Sequence, residues 1–238
     1  MGLADKRIVI LGGASGIGLQ VGKLAAAEGG HVVLASSNPS KVNVAKDAVP
    51  GAEGRLIDVL SESNIKAFFA EIGPFDHLVY TAGDPLLVEP LETLSLPRAK
   101  AFFGVRFWGS FLAVKYAAPN IRPGGSVVLT SGMASRRPHP GLTAVSAVCG
   151  AGESLTRALA VDLAPLRVNA VCPGVVKTGL WDSFPAEQRE AIFEHAEQSL
   201  PVGRVGEAAE VAEAYLYLMK NGFSTGEIIV TDGGTSVR

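Results

Sequence analysis

The chain has 238 residues, 47% of them hydrophobic and 18% charged, with a formal net charge of −2. A near-neutral balance without a Lys/Arg cluster excludes a nucleic acid as the main partner, and no apolar run reaches the ~18 residues of a membrane helix. Two cysteines, Cys149 and Cys172, are too few for a disulfide framework or a metal site, and Met1 to Lys6 carries no apolar leader. These bounds set the expectation of a soluble cytoplasmic protein, one domain with a large core.

Ile8 to Leu11 is a short apolar run, predicted as a buried strand. It leads into Gly12, Gly13, Gly16 and Gly18, and an apolar-periodic segment follows at Ile17, Leu19, Val21 and Leu24. Strand, glycine turn and helix in that order offer a phosphate the free N–H groups and positive dipole end of a helix N-terminus. The spacing is Gly12-x-x-x-Gly16-x-Gly18. In this context it signals a dinucleotide site.

Strands are predicted next at His31–Ala35 and Gly54–Val59, then a helix over Ser61–Ile72 with Ser61 as N-cap. Further strands are His77–Tyr80, Ser126–Thr130, Arg167–Val171 and Glu227–Val230. Long helices are expected over Leu96–Asn120 and Thr143–Leu163, and another over Glu207–Asn221. Uniformly apolar strands alternating with helices imply a doubly wound α/β fold, a parallel sheet covered on both faces. Chemistry is then sought outside the carboxyl ends of the strands, at the switch point.

Those strand ends resemble the short-chain dehydrogenase/reductase family over nearly the whole chain. The matching segments are Gly12-Gly13-Ala14-Ser15-Gly16-Ile17-Gly18, Asp58-Val59, Ala82-Gly83, Arg167-Val168-Asn169-Ala170-Val171-x-Pro173-Gly174, Pro201-Val202-Gly203-Arg204 and Thr231-Asp232-Gly233-Gly234. The resemblance implies a seven-stranded Rossmann-like sheet, a single domain over 1–238, and a nicotinamide dinucleotide. It implies that Asp58 and Val59 flank the adenine and that Ala82 and Gly83 line the ribose. Pro173, Gly174, Val176 and Thr178 would hold the nicotinamide end.

Users of NAD in such folds place an acid after the second strand to bond the ribose 2′-OH. Here the segment reads Ser36-Ser37-Asn38, followed by Lys41. No carboxylate repels a 2′-phosphate, and two hydroxyls and a lysine can donate to it, so NADP(H) is expected over NAD(H).

The family reduces carbonyls with Ser, Tyr and Lys, helped by Asn. On this sequence the serine position is Gly132, the tyrosine Val145, the lysine Cys149 and the asparagine Arg106. Ser131 lies one residue off, on the other face of an extended strand. A matched general acid contributes about 10²–10⁴ in rate, so the loss separates cofactor binding from the family mechanism. Three readings follow: an NADP(H)-dependent oxidoreductase passing hydride to an imine, iminium, activated C=C or C=O without a tyrosine; a non-catalytic NADP(H)-binding sensor or partner; and a non-redox cyclase or isomerase in the same pocket.

Arg106 is the leading candidate replacement, because a guanidinium among Phe102, Phe103, Val105, Phe107 and Trp108 needs a partner. It could bond the cofactor ribose, an anionic substrate or a developing oxyanion. Ser131 is a second candidate. His139, in Arg136-Arg137-Pro138-His139-Pro140, is a third and is read as the histidine near the mouth. Cys149 and Tyr80 are weaker candidates as thiol and proton donor, and His77, at the other end of its strand, is read as structural. Gly179–Leu200, with Trp181, Phe184 and Phe193, corresponds to the family's substrate lid and suits an apolar or aromatic small molecule. The two long helices are apolar on more than one face. The family pairs them between subunits, which implies a homodimer or homotetramer.

Overall fold

A computed structural model describes residues 2–237. Its elements, in chain order, are β1 (Arg7–Leu11), α1 (Gly16–Ala27), β2 (His31–Ser36), α2 (Pro39–Ala48), β3 (Glu53–Leu56), α3 (Glu62–Ile72), β4 (Phe75–Tyr80), α4 (Leu96–Phe103), α5 (Ser110–Ala117), β5 (Ile121–Thr130), α6 (Thr143–Asp162), β6 (Arg167–Pro173), β7 (Val176–Lys177), α7 (Ala186–Ser199), β8 (Gly206–Glu207), α8 (Ala208–Lys220) and β9 (Ile228–Thr231). Seven strands form one parallel sheet in the order β3-β2-β1-β4-β5-β6-β9, and β7 pairs with β8 apart from it. The chain winds outward from β1 to β3 and then returns to lay β4 on the other side of β1. That reversal is the switch point.

Side-chain alternation along each strand builds two cores. Ile8 and Ile10 of β1, with Val32 and Leu34 of β2, face α1, α2 and α8. Their neighbours Val9, Leu11, Val33 and Ala35 face α3, α5 and α6. Burial on both faces is why these strands are apolar throughout. Among the described residues, no helix is long and apolar enough to cross a membrane.

Several predicted boundaries shift. The third strand ends at Leu56 rather than Val59, because Ile57 and Val59 stay buried while the backbone leaves the sheet. The helix α2 was not read from the sequence: it buries little beyond Val42 and Ala45, and Ser36-Ser37-Asn38-Pro39 looks like a turn. The helix expected over Leu96–Asn120 is broken by a π-helical turn at Gly104–Gly109 and ends in a 3₁₀ turn at Ala118–Asn120. Ser61 caps α3 as expected, accepting from the Asn64 N–H at 3.3 Å.

Candidate active site

The carboxyl ends of the strands open into a cavity of about 1560 Å³. Its floor is the glycine turn. Gly12 has φ +87°, and a Cβ on it would lie 2.5 Å from the Ala82 nitrogen. A Cβ on Gly18 would lie 2.4 Å from the Gly12 carbonyl oxygen and from Thr81 Oγ1. Only glycine lets α1 start this close to β1 and β4. Ser15, at the N-cap of α1, makes no side-chain cap bond, so the first N–H groups of the helix stay open toward the cavity. This cradle of open donors suits the pyrophosphate of a dinucleotide.

The residues expected to contact the cofactor line this cavity except Ala14, which is buried in the core beneath the turn, and so do Ser131, His139, Gly132, Val145 and Cys149. At one end stand Ser36, Ser37, Asn38 and Lys41. Asn38 is committed locally: its Oδ1 caps α2 by accepting from the Lys41 N–H at 3.0 Å, and its own N–H donates to Ser36 Oγ at 3.3 Å. Ser36 only accepts in that contact and keeps its O–H to donate, so Ser36, Ser37 and Lys41 present donors here. Asp58 shapes its own turn, accepting from the Leu60 N–H at 2.9 Å.

Elsewhere the cavity is lined by the three residues expected at the family's serine, tyrosine and lysine positions. Gly132, Val145 and Cys149 make this part of it apolar. A Cβ on Gly132 would lie 3.2 Å from Cys149 Sγ. Val145 is buried and packs with Phe102, Ala144 and Val148. Burial pushes the Cys149 thiol up to about 11, so it stands neutral rather than as a reactive thiolate.

Ser131 reaches the cavity edge, but its hydroxyl is turned toward Cys149 O and Glu153 Oε1, both at 3.2 Å. Glu153 also accepts from Ser135 Oγ at 2.9 Å and pairs with Arg136 and Arg157. Burial works to raise its pKa, yet the Ser135 hydroxyl and Arg136 outweigh that and hold the carboxyl below its usual range. No sequence signal marked Glu153, because a lone glutamate on a helix reads as solvated.

His139 is exposed at the mouth and is joined there by His195 of α7, which the sequence reading passed over. Tyr80 does not reach the cavity: its phenol is buried and donates to the Val105 carbonyl. His77 is structural, its Nδ1 2.9 Å from Ser126 Oγ within the sheet.

Among the described residues, Arg106 is the guanidinium set beside this apolar lining. It leaves the π-helical turn to lie against Gly83, where a Cβ would come within 2.9 Å of Nη1. Nη2 donates to the Asp84 carbonyl, and Cζ sits 5.0 Å above the Phe102 ring. Nε is buried with no partner. Burial pulls its pKa below the usual value, with Cys149 and Asp84 opposing, but a guanidinium keeps its proton in proteins. A π-helical turn is a common device for re-aiming a side chain at a functional site.

Fold and cavity together define a Rossmann-type dinucleotide fold with its site at the switch point. Residues 1–237 match the family described as the SDR-like Rossmann domain. The chain is 34% identical over 254 residues to the short-chain dehydrogenase/reductase malC of Malbranchea aurantiaca, covering 99% of this chain and 96% of that one. It is 37% identical over 251 residues to ATR9 of Stachybotrys chlorohalonatus, with 98% and 97% covered. Among solved structures, it superposes on a small-chain dehydrogenase in complex with NADPH at a TM-score of 0.88, with 36% identity and 98% and 100% covered. It also superposes on the MalC reductase/Diels-Alderase at 0.92, with 33% identity and 99% and 98% covered. The chain belongs to the short-chain dehydrogenase/reductase family.

Proposed function

We propose that this protein is an NADP(H)-dependent oxidoreductase that transfers hydride to a small organic electrophile without a tyrosine acid. The carrying observation is Arg106, a half-buried cation whose buried Nε has no partner, set beside the apolar residues Gly132 and Val145. The open N–H groups of α1 would hold the pyrophosphate. Ser36, Ser37 and Lys41 would hold the 2′-phosphate. Asp58, Val59, Ala82 and Gly83 would line the adenosine side, and Pro173, Gly174, Val176 and Thr178 the nicotinamide side. The NADPH-bound neighbour and the family's chemistry support that fit.

The bound cofactor supplies the hydride. The chain's own part is to orient and to stabilise. Val145 and Leu142, with Phe102 packed against them in the same apolar cluster, exclude water from the reacting face. Arg106 is placed to steady negative charge that grows on an imine nitrogen, a carbonyl or an enone oxygen as the bond forms. Ser131 and His139 are the remaining polar candidates: Ser131 as a fixed group at the edge, His139 as an exposed base that could exchange protons with solvent. The segment 179–200 forms a lid within one domain. Trp181 anchors it by donating Nε1–H to the Val176 carbonyl at 2.8 Å, and Phe184 and Phe193 pack at 5.9 Å from Trp181. That aromatic ceiling favours an apolar or aromatic substrate. Exposed Trp108, Phe111 and Val161 on the long helices offer a face for a second copy, in a homodimer or homotetramer.

A second reading rests on the same apolar wall. A pocket without a proton donor can also fold a reactive substrate for cyclisation, and a structural neighbour is described as a reductase/Diels-Alderase. One assay separates the readings. Purified protein is titrated with NADPH and NADH by nicotinamide fluorescence, then offered a panel of cyclic imines, enones and aromatic quinones. Consumption of NADPH, lost on the order of 10²–10³-fold in Arg106→Ala with cofactor affinity unchanged, is the expected result. Tight NADPH binding with no consumption overturns the enzyme reading. Substrate loss at constant NADPH absorbance favours the non-redox one.

A further inference from the structure

We infer that Tyr80 is the positioning residue for Arg106. The inference rests on the reading above, in which Arg106 acts on the reacting electrophile. Tyr80 ends β4 and is only 2% exposed. Its Oη–H donates to the Val105 carbonyl, inside the π-helical turn Gly104–Gly109 and one residue before Arg106. A π turn interrupts the regular i→i+4 ladder of the helix, so its carbonyls lean on donors from outside. The phenol fills the space that Gly109 leaves by having no side chain: a Cβ there would lie 2.5 Å from Tyr80 Oη and 3.2 Å from the Val59 carbonyl oxygen.

The end of β4 thus grips the turn twice. Tyr80 holds the backbone just before Arg106. Three and four residues further on, Gly83 and the Asp84 carbonyl receive the guanidinium. Burial raises the Tyr80 pKa well above that of a free phenol, so it stays a donor and never yields its proton to the cavity. A lone buried tyrosine could be there for volume alone. The hydroxyl aimed at a carbonyl of the widened turn, with a glycine opposite to admit it, gives it a geometric task. Straightening the turn to an ordinary α-helix would rotate Arg106 by part of a turn and withdraw it from Gly83.

The test is a double-mutant cycle with structures. Tyr80→Phe keeps the ring and removes only the donor. Gly109→Ala severs the same contact from the other side. With NADPH and 9,10-phenanthrenequinone as the probe, each variant is expected to lower kcat about 10-fold, the weight of one buried hydrogen bond, with NADPH affinity unchanged. In the Arg106→Ala background, Tyr80→Phe is expected to cost nothing further. In the crystal structure of Tyr80→Phe, the guanidinium is expected to be displaced from Gly83 and Asp84. An equal loss in both backgrounds marks a merely structural tyrosine and overturns the inference, as does a guanidinium that stays in place. If the wild type consumes no NADPH on any probe, the reductase reading falls, and the position of Arg106 in the Tyr80→Phe structure still decides the positioning role.

Discussion

Gly83→Ala probes the site without touching a charged group. Gly83 has no left-handed backbone requirement, so the substitution is free of backbone strain. The added Cβ would stand 2.9 Å from Arg106 Nη1, 3.0 Å from Cζ and 3.2 Å from Nη2. Ordinary contact begins near 3.4 Å. The guanidinium must therefore retreat by about half an ångström or more, and it is the far end of a flexible side chain that can do so. Its bond to the Asp84 carbonyl is then stretched or lost. Misplacement by up to ~1 Å of a group acting on a developing charge costs on the order of 10²-fold. We expect kcat for NADPH oxidation to fall by roughly 10–100-fold, about 1.4–2.7 kcal/mol of transition-state stabilisation, with the fold intact. The assays are steady-state NADPH consumption, a fluorescence titration of NADPH and a thermal melt on the same samples. Unchanged turnover refutes the assigned role of Arg106. A loss of NADPH affinity in step with kcat traces the effect to the cofactor contact proposed for Gly83 and not to Arg106, and refutes the reasoning equally.

Gly12→Ala should behave in the opposite way. Its Cβ meets backbone, at 2.5 Å from the Ala82 nitrogen, and its φ is +87°, so nothing can yield. Loss of detectable NADPH binding is expected in the fluorescence titration, and wild-type affinity would show that the turn does not carry the pyrophosphate. His77 is buried, and burial lowers its pKa from 6.5 to about 4. Between those values the unfolded chain takes up a proton that the folded chain refuses. Stability is thus intact above pH ~6.5 and declines as pH falls toward 4, by about 3 kcal/mol in full. His77→Asn, which can keep a bond to Ser126, should flatten that limb in urea midpoints measured from pH 7 to pH 4. Parallel profiles for the two proteins would sink the argument.

The parallel sheet was legible in the chain because burial on both faces forces unbroken apolar strands such as Ile8–Leu11 and Val127–Leu129. The glycine turn was legible too, since Gly12 and Gly18 are demanded by backbone contacts that tolerate no Cβ. The structure adds that Gly132, Val145 and Cys149, far apart in the chain, line one apolar part of the cavity. Local sequence alone could not tell where polar side chains are spent. Asn38 turns to cap a helix whose apolar signal is too weak to read. Ser131 is drawn to Glu153, 22 residues away, and Tyr80 to Val105, 25 residues away. These pairings depend on strands and helices that meet only after the chain has crossed the sheet. The π-helical turn has the same origin: an apolar helical run is satisfied by an ordinary α-helix, and it widens here where Tyr80 and Gly109 press together. Composition and spacing determined what the protein is built to hold, and the tertiary contacts of Arg106 with Gly83, Asp84 and Phe102 decided where that guanidinium is aimed.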